Sequence, residues 1–153
     1  DTVQFTSLKP YRIIVSGRIK HIISAFGEHV IAKEVESALQ EATENTEVRV
    51  NEFTVAPQIN PISGLPFHEW FIEFENEPNN LEEFALKIDK AMRNQNAYYD
   101  DLIVGKVLRT LIVSKVPKNG FQDYMKSIGK LGGQNKLPRL SDNREIADKL
   151  GRE

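Results

Sequence analysis

Two segments place apolar residues at the spacing of one helix face. Between residues 29 and 43, the i, i+4, i+7, i+8, i+11 pattern is filled by Ile31, Val35, Ala38, Leu39 and Ala42. The second stripe consists of Leu81, Phe84, Ala85, Ile88 and Met92. Asn79 precedes it as an N-cap, with Glu82 three residues on to close a capping box. The pattern predicts two amphipathic helices, each burying one face.

Alternating apolar and polar residues predict strands between these helices. The segment Thr2 to Val15 is typical of a hairpin, which should lean on other elements because an isolated hairpin is marginal. Further strands are expected at Thr46 to Pro57, around Trp70 to Phe74, and at Leu108 to Val113. The alternation slips near Asn51, which indicates a bulge.

From Tyr11 onward the order is strand, helix, strand, strand, helix, strand, which is the split βαβ arrangement. The predicted class is α+β: a small ferredoxin-like sheet with helices packed on it, preceded by a β-hairpin. A short helix near Phe121, a glycine-bearing loop and a terminal helix at Ile146 to Leu150 should follow. We expect one domain in three parts: residues 1–17 as hairpin and hinge lead-in, 18–116 as α/β sandwich core, and 117–153 as the C-terminal part.

Composition excludes several classes of function. With 153 residues, a net charge of −2 and a pI near 6.0, the chain fits one domain and lacks the basic balance of a nucleic-acid binder. It has no cysteine, which excludes disulfides and thiolate chemistry and suits a reducing, cytoplasmic setting. The chain contains no run of about 18 apolar residues, so the sequence predicts no membrane-spanning helix. The chain begins at Asp1 without a methionine, so we expect a piece of a longer protein.

The titratable residues give few candidates for chemistry. His21, His29 and His68 lack the spacing of a zinc site, so we expect isolated imidazoles and no metal. Glu73 and Glu75 share a strand face, where solvated carboxylates are a simpler interpretation than an acid–base pair.

A glycine-bearing loop near the end is more suggestive. It carries basic residues around Gly129, Gly132 and Gly133, namely Lys126, Lys130, Lys136 and Arg139. Glycines and amines together suit a lid that closes on phosphates, whereas composition alone favours a solvated tail.

The segment Gly17 to Glu36 resembles the hinge motif of the adenylate-forming enzymes, which include acyl-CoA synthetases and peptide-synthetase adenylation domains. The matching residues are Gly17, Arg18, Lys20, Ile23, Gly27, Glu34, Val35 and Glu36. In such enzymes a small C-terminal domain swings on a large N-terminal domain between two half-reactions. The resemblance implies that Lys20 is the hinge residue, that Arg18 approaches the nucleotide, and that Asp1 is the ribose-binding aspartate.

Within that superfamily, the chain is similar to the auxin-responsive-promoter family of acyl-acid amido synthetases, in its bacterial branch. The similarity rests on Phe5-Thr6, Pro10 to Ile13, Ser24 to Glu28, His68 to Phe74, and Gly132 to Arg139. Plant members carry a similar Asn-Gln-x-Lys-x-Pro-Arg run, whose lysine reaches the nucleotide phosphates. Lys136 matches that lysine and is the expected catalytic residue.

The resemblance implies an ATP-dependent ligase that adenylates a carboxylic acid and transfers the acyl group to an amino acid. ATP with magnesium would be bound mainly by the N-terminal adenylation domain, the expected partner in the same chain, so this fragment should be inactive alone. The Ser-Gly-Lys motif of acyl-CoA synthetases is absent, and Lys130 competes with Lys136 for the phosphates. Two alternatives remain: an acyl-CoA-type ligase domain, and a free-standing ferredoxin-like regulatory module that binds small ligands.

Overall fold

The computed structural model describes residues 2–17 and 21–151. The described strands are β1 (Thr2–Leu8), β2 (Tyr11–Gly17), β3 (Ile22–Ile23), β4 (Val30–Ile31), β5 (Arg49–Gln58), β6 (Phe67–Asn76) and β7 (Ile112–Lys115). The described α-helices are α1 (Ala32–Thr43), α2 (Leu81–Gln95), α3 (Ala97–Val104) and α4 (Gly120–Ser127). These elements confirm the predicted α+β class.

The central sheet has the strand order β5-β6-β7, with β5 antiparallel and β7 parallel to β6. The free edge of β5 is extended by residues 139–141: Leu140 bridges Val55, and the Ser141 N–H donates to the Val55 carbonyl at 2.9 Å. The predicted bulge near Asn51 is confirmed by a register shift between Val50 and Glu52.

One face of this sheet carries the larger core. The predicted stripes of α1 and α2 pack there against alternate residues of the strands, including Phe53 and Trp70, whose rings stack 5.8 Å apart. Trp70 is buried, as expected for the apolar face of its strand. Burial of these two stripes holds the helices on the sheet.

The opposite face is covered by α4 and the last segment of the chain. A second core lies there, formed by Ala56, Phe71, Val116, Phe121, Leu137, Ala147 and Leu150. Arg144 fixes this segment, since its guanidinium donates to Glu69 at 2.9 Å and lies over the Phe71 ring. Helix α4 and the segment from Leu137 to Leu150 are therefore packed on the sheet, whereas residues 126–136 are exposed.

The hairpin differs from the expectation. Strands β1 and β2 pair only with each other among the described residues, so the strand predicted from Tyr11 does not join the central sheet. Its apolar side chains are exposed: Val3, Phe5, Leu8, Tyr11, Ile13, Ile14 and Val15. Apart from contacts between β2 and α1, little of the hairpin is covered by the other described elements.

Several element boundaries also differ. Helix α1 begins at Ala32 because Ile31 belongs to β4, and Asn80, not Asn79, caps α2 by accepting from the Glu83 N–H. The predicted last strand lies a few residues later, as β7, and the predicted terminal helix is a short 3-10 turn at Ala147–Lys149. In the described residues, no helix is both long and apolar enough to cross a membrane.

Candidate functional site

A cleft of about 880 Å³ opens beside the second face of the sheet, between the N-terminal end of β5, α4 and the glycine-bearing loop. Its charged and amide-bearing lining includes Glu36, Asn51, Glu52, Glu73, Lys130, Gln134, Asn135, Lys136 and Arg139. Carboxylates of the sheet and α1 therefore face amines of the loop across one space.

The loop after α4 is anchored at its C-terminal end by main-chain and side-chain bonds. Leu137 is buried in the second core, the Thr54 hydroxyl donates to the Pro138 carbonyl at 2.8 Å, and the Val55 N–H donates to the Arg139 carbonyl at 2.9 Å. Lys136 directly precedes this anchor. Its backbone is therefore restrained on one side while its side chain is exposed.

The N-terminal end of the loop is anchored by α4. Phe121 fixes that helix in the second core, and the Lys130 N–H donates to the Met125 carbonyl at 2.8 Å. Between the two anchors, Gly132 and Gly133 have φ of +83° and +65°, and nothing lies within 4 Å of where a Cβ would stand. Glycine is favoured at both positions by the positive φ angle, and not by crowding around the Cα atom.

Lys136 and Lys130 both line the cleft and both are exposed. Lys126, which the sequence grouped with them, lies on α4 and does not line it. The geometry thus brings two of the three candidate lysines to one cavity, and the choice between Lys136 and Lys130 stays a prediction.

Two carboxylates lie at the sheet side of the cleft. Glu52 and Glu73 are opposite each other in the β5–β6 register, and the Asn51 side-chain amide at the bulge donates to Glu73 at 3.2 Å. The expectation of a solvated strand face is wrong for Glu73, which is buried because the loop and α4 cover this face, and right for Glu75, which is exposed.

Arg139 lies beside this pair. Its guanidinium donates to Glu52 from Nη1 and to Glu36 of α1 from Nε at 3.4 Å, and it lies 4.9 Å from the centroid of the Phe53 ring. One side chain of the loop thus contacts both the sheet and the first helix.

The residues of the hinge motif fall into two groups. Asp1, Arg18 and Lys20 lie outside the described residues, so their predicted roles stay predictions. Within the described part, Glu34 accepts the Ile31 N–H at 3.0 Å at the start of α1, and Val35 is buried in the core. Glu34 and Val35 thus stabilise helix α1.

A buried hydrogen bond between His68 and Glu28 holds the turn that precedes α1. Nε2 of His68 on β6 donates to Glu28 at 2.8 Å, and both side chains are fully buried. Gly27 has φ of +91°, and the Phe26 N–H donates to the other Glu28 oxygen at 2.8 Å. Burial would raise the pKa of Glu28, but the His68 hydrogen bond and charge, with backbone N–H groups, lower it below its ordinary value.

This pair was missed by the sequence reasoning, which expected His68 to be isolated. Glu28 and His68 are 40 residues apart, and nothing local signals their contact. The cluster continues to Tyr99, whose ring lies 5.2 Å from that of His68 and whose hydroxyl donates to Asp89 at 2.6 Å. Burial and the Asp89 charge raise the pKa of Tyr99 well above its ordinary value.

The described side chains form no group of three or more His, Asp or Glu residues that could hold a metal ion. The cleft instead offers two ammonium groups beside glycine backbone, which suits the oxygens of a phosphate group.

Comparison with known proteins connects this geometry to a family. Residues 33–145 match the GH3 family C-terminal domain. No curated protein matches the chain. Among solved structures, a GH3.15 acyl acid amido synthetase superposes with a TM-score of 0.72 at 20% identity, over 92% of this chain and 27% of its own.

A second structure, AtGH3.15 acyl acid amido synthetase in complex with 2,4-DB, gives a TM-score of 0.69 at 18% identity, over 96% of this chain and 28% of its own. At these identities the likeness shows the fold, and the chain spans about a quarter of the length of either protein. The match over residues 33–145 covers well over half of the chain, and it confirms the resemblance seen in the sequence: the chain belongs to the GH3 family, as its C-terminal domain.

Proposed function

We propose that this domain is the mobile C-terminal part of an ATP-dependent ligase that adenylates a carboxylic acid and transfers the acyl group to an amino acid. The observation that carries the proposal is the anchored glycine loop, which holds Lys136 and Lys130 at the cleft. Family membership and the likeness to acyl acid amido synthetases support it.

The first half-reaction suits a cationic loop. The acid's carboxylate attacks the α-phosphorus of ATP and pyrophosphate departs, so negative charge accumulates on the leaving phosphates. An ammonium positioned there stabilises that charge, and Lys136 is the proposed group because it matches the family lysine and stands next to the loop anchor. In this proposal, the N-terminal domain binds magnesium and makes most of the contacts with ATP.

The second half-reaction needs a different arrangement, since the amine of an amino acid must reach the acyl carbon. A pivot between residues 16 and 20 would let the domain turn, with Lys20 as hinge and with Arg18 and Asp1 near the nucleotide. The Glu28–His68 pair supports this proposal, because it fixes the chain to the central sheet at Glu28, eight residues after the pivot.

The exposed hairpin supports a larger parent protein. Tyr11, at 78% exposure, and Val15, at 69%, belong to an apolar surface of the kind that another domain covers. We therefore propose that an N-terminal adenylation domain covers this surface. We further propose that the parent enzyme is cytoplasmic and that this domain is inactive alone. The domain would be divided into residues 1–17, 18–116 and 117–153.

The test is acid-dependent ATP–pyrophosphate exchange by the full-length parent protein, measured across a panel of carboxylic acids with this domain intact. We expect exchange with at least one acid, followed by transfer to an amino acid. Transfer to coenzyme A instead would establish the acyl-CoA-type alternative. A folded parent protein that fails to bind ATP would contradict the ligase function and favour a regulatory module that binds small ligands.

A further inference from the structure

Arg139 is the residue through which the glycine loop contacts two other elements. Its backbone carbonyl accepts from Val55 of β5 at 2.9 Å, and its guanidinium contacts Glu52 on β5 and Glu36 on α1. Residues 36, 52 and 139 are far apart in sequence, so the contact exists only in the folded domain.

The charges around Arg139 make this contact specific. Glu52 and Glu73 are opposite each other on neighbouring strands, and like charges in that position repel. The guanidinium at Glu52 offsets this repulsion, while the Asn51 amide bonds to Glu73. A planar fork with several donors can meet carboxylates from two elements at once, which an ammonium group does less well.

The position of Arg139 relates this contact to the cleft. Lys136 lies three residues before Arg139, and only the buried Leu137 and the half-buried Pro138 separate them. Both ends of the loop are anchored. At the C-terminal end, the Arg139 side chain also forms an ion pair with Glu36 of α1, the helix that follows the proposed hinge. A shift of Arg139 would therefore displace Lys136.

We propose that Arg139 is a positioning residue: its contacts with Glu52 and Glu36 fix the C-terminal end of the glycine-bearing loop and thereby the position of Lys136 in the cleft. The loop is thus coupled to α1, and domain motion at the hinge would carry the lysine with it. The catalytic part of this inference rests on the proposed function, whereas the anchoring part rests on the contacts alone.

The experiment compares R139Q, R139K and R93Q in the full-length parent protein. Arg93 is a matched control, because its side chain is 38% exposed against 36% for Arg139 and it pairs with Asp100 at 2.6 Å, away from the cleft. Two quantities are measured: amide hydrogen exchange of the loop-end peptide covering residues 139–142, in which the Ser141 N–H donates to the Val55 carbonyl, and kcat and KM for acid-dependent pyrophosphate exchange.

We expect R139Q to accelerate hydrogen exchange in that peptide and to lower kcat by about 10- to 100-fold with KM for the acid unchanged, since a misplacement of roughly 1 Å can cost that much. R139K should be intermediate, and R93Q should match the wild type. A further variant, E52Q, should raise loop exchange in the same direction as R139Q.

Unchanged loop exchange in R139Q would overturn the proposal, as would faster exchange spread over β5 and β6, which indicates general destabilisation. Unchanged kcat with a loosened loop would overturn the positioning of Lys136. If the wild-type protein shows no pyrophosphate exchange with any acid, the proposed function fails, and the hydrogen-exchange result alone decides whether Arg139 anchors the loop.

Discussion

Lys136 and Lys130 are six residues apart on one loop, and both are exposed and line the same cleft. Both have backbone support, because the Lys130 N–H donates to the Met125 carbonyl and Lys136 stands beside the Pro138 and Arg139 anchor. Lys136 is the proposed phosphate-contacting residue because it matches the lysine of the family motif. A fixed backbone favours a defined ammonium position, which matters for a group that must meet developing phosphate charge.

We therefore expect Lys136→Ala in the full-length protein to reduce pyrophosphate exchange by about 100-fold or more, the usual cost of removing one charge-stabilising group. Lys130→Ala, a matched change on the same loop, should leave the rate within a few-fold. The measurement is the exchange rate at saturating ATP and acid. The reverse pattern would assign the phosphate contact to Lys130.

Tyr98 and Tyr99 offer a second matched pair of neighbouring residues. Tyr99 is fully buried and its hydroxyl donates to the buried Asp89, whereas Tyr98 is 65% exposed. Tyr99→Phe should lower the free energy of unfolding of the domain by about 1.5–3 kcal/mol, because Asp89 loses a charge-assisted partner. Tyr98→Phe should change it by less than about 0.5 kcal/mol. Urea denaturation compares the two, and equal effects would contradict a structural role for the Tyr99 hydroxyl.

At the scale of elements, the Glu28–His68 pair joins the turn before α1 to strand β6. Because the folded pKa of Glu28 is lowered, the pair contributes stability above the unfolded pKa of about 4.3, and this contribution is lost as the pH falls through the lower, folded value.

Glu28→Gln should therefore lower the free energy of unfolding by about 1–3 kcal/mol near pH 7, and the difference from the wild type should shrink below about pH 4. Glu75→Gln, at an exposed carboxylate, serves as control and should have little effect at either pH. Denaturation midpoints at several pH values provide the test. A difference independent of pH would show that ionised Glu28 is not the stabilising form.

The elements with regular patterns were predictable from sequence. The stripe of α1 and the slip at Asn51 are local signals, and the structure confirms both. Helix α3 was missed because its exposed Tyr98 and Val104 blur any stripe, although Asn96, which caps it by accepting from the Tyr99 N–H, was a usable signal. Helix α3 also has only 8 residues, which is too short for a helical pattern of apolar residues to be recognised.

The candidate site was predictable only in part, for a physical reason. The glycines and Lys136 are adjacent in sequence, so the loop could be recognised from composition. The contact between Arg139 and Glu52, 87 residues apart, and the burial of Glu73 depend on which face of the sheet the last segment covers. No local pattern specifies that choice.

At the scale of the whole molecule, the hairpin and the rest of the domain differ in how far their apolar side chains are exposed to solvent. The central sheet is covered on both faces by two cores, while β1 and β2 expose apolar side chains. This contrast, with a chain about a quarter the length of its structural relatives, agrees with a proposed parent enzyme in which the hairpin contacts another domain.

The second core has a consequence for where this folding unit can be cut. The family match ends at residue 145, yet Ala147 and Leu150 lie beyond it and are buried against the sheet with Phe71. Ile23 and Val30, before the match begins, belong to the larger core. A recombinant fragment trimmed to the family limits would lose side chains from both faces of the sheet, so the cooperative unit is wider than the stretch by which its family is recognised.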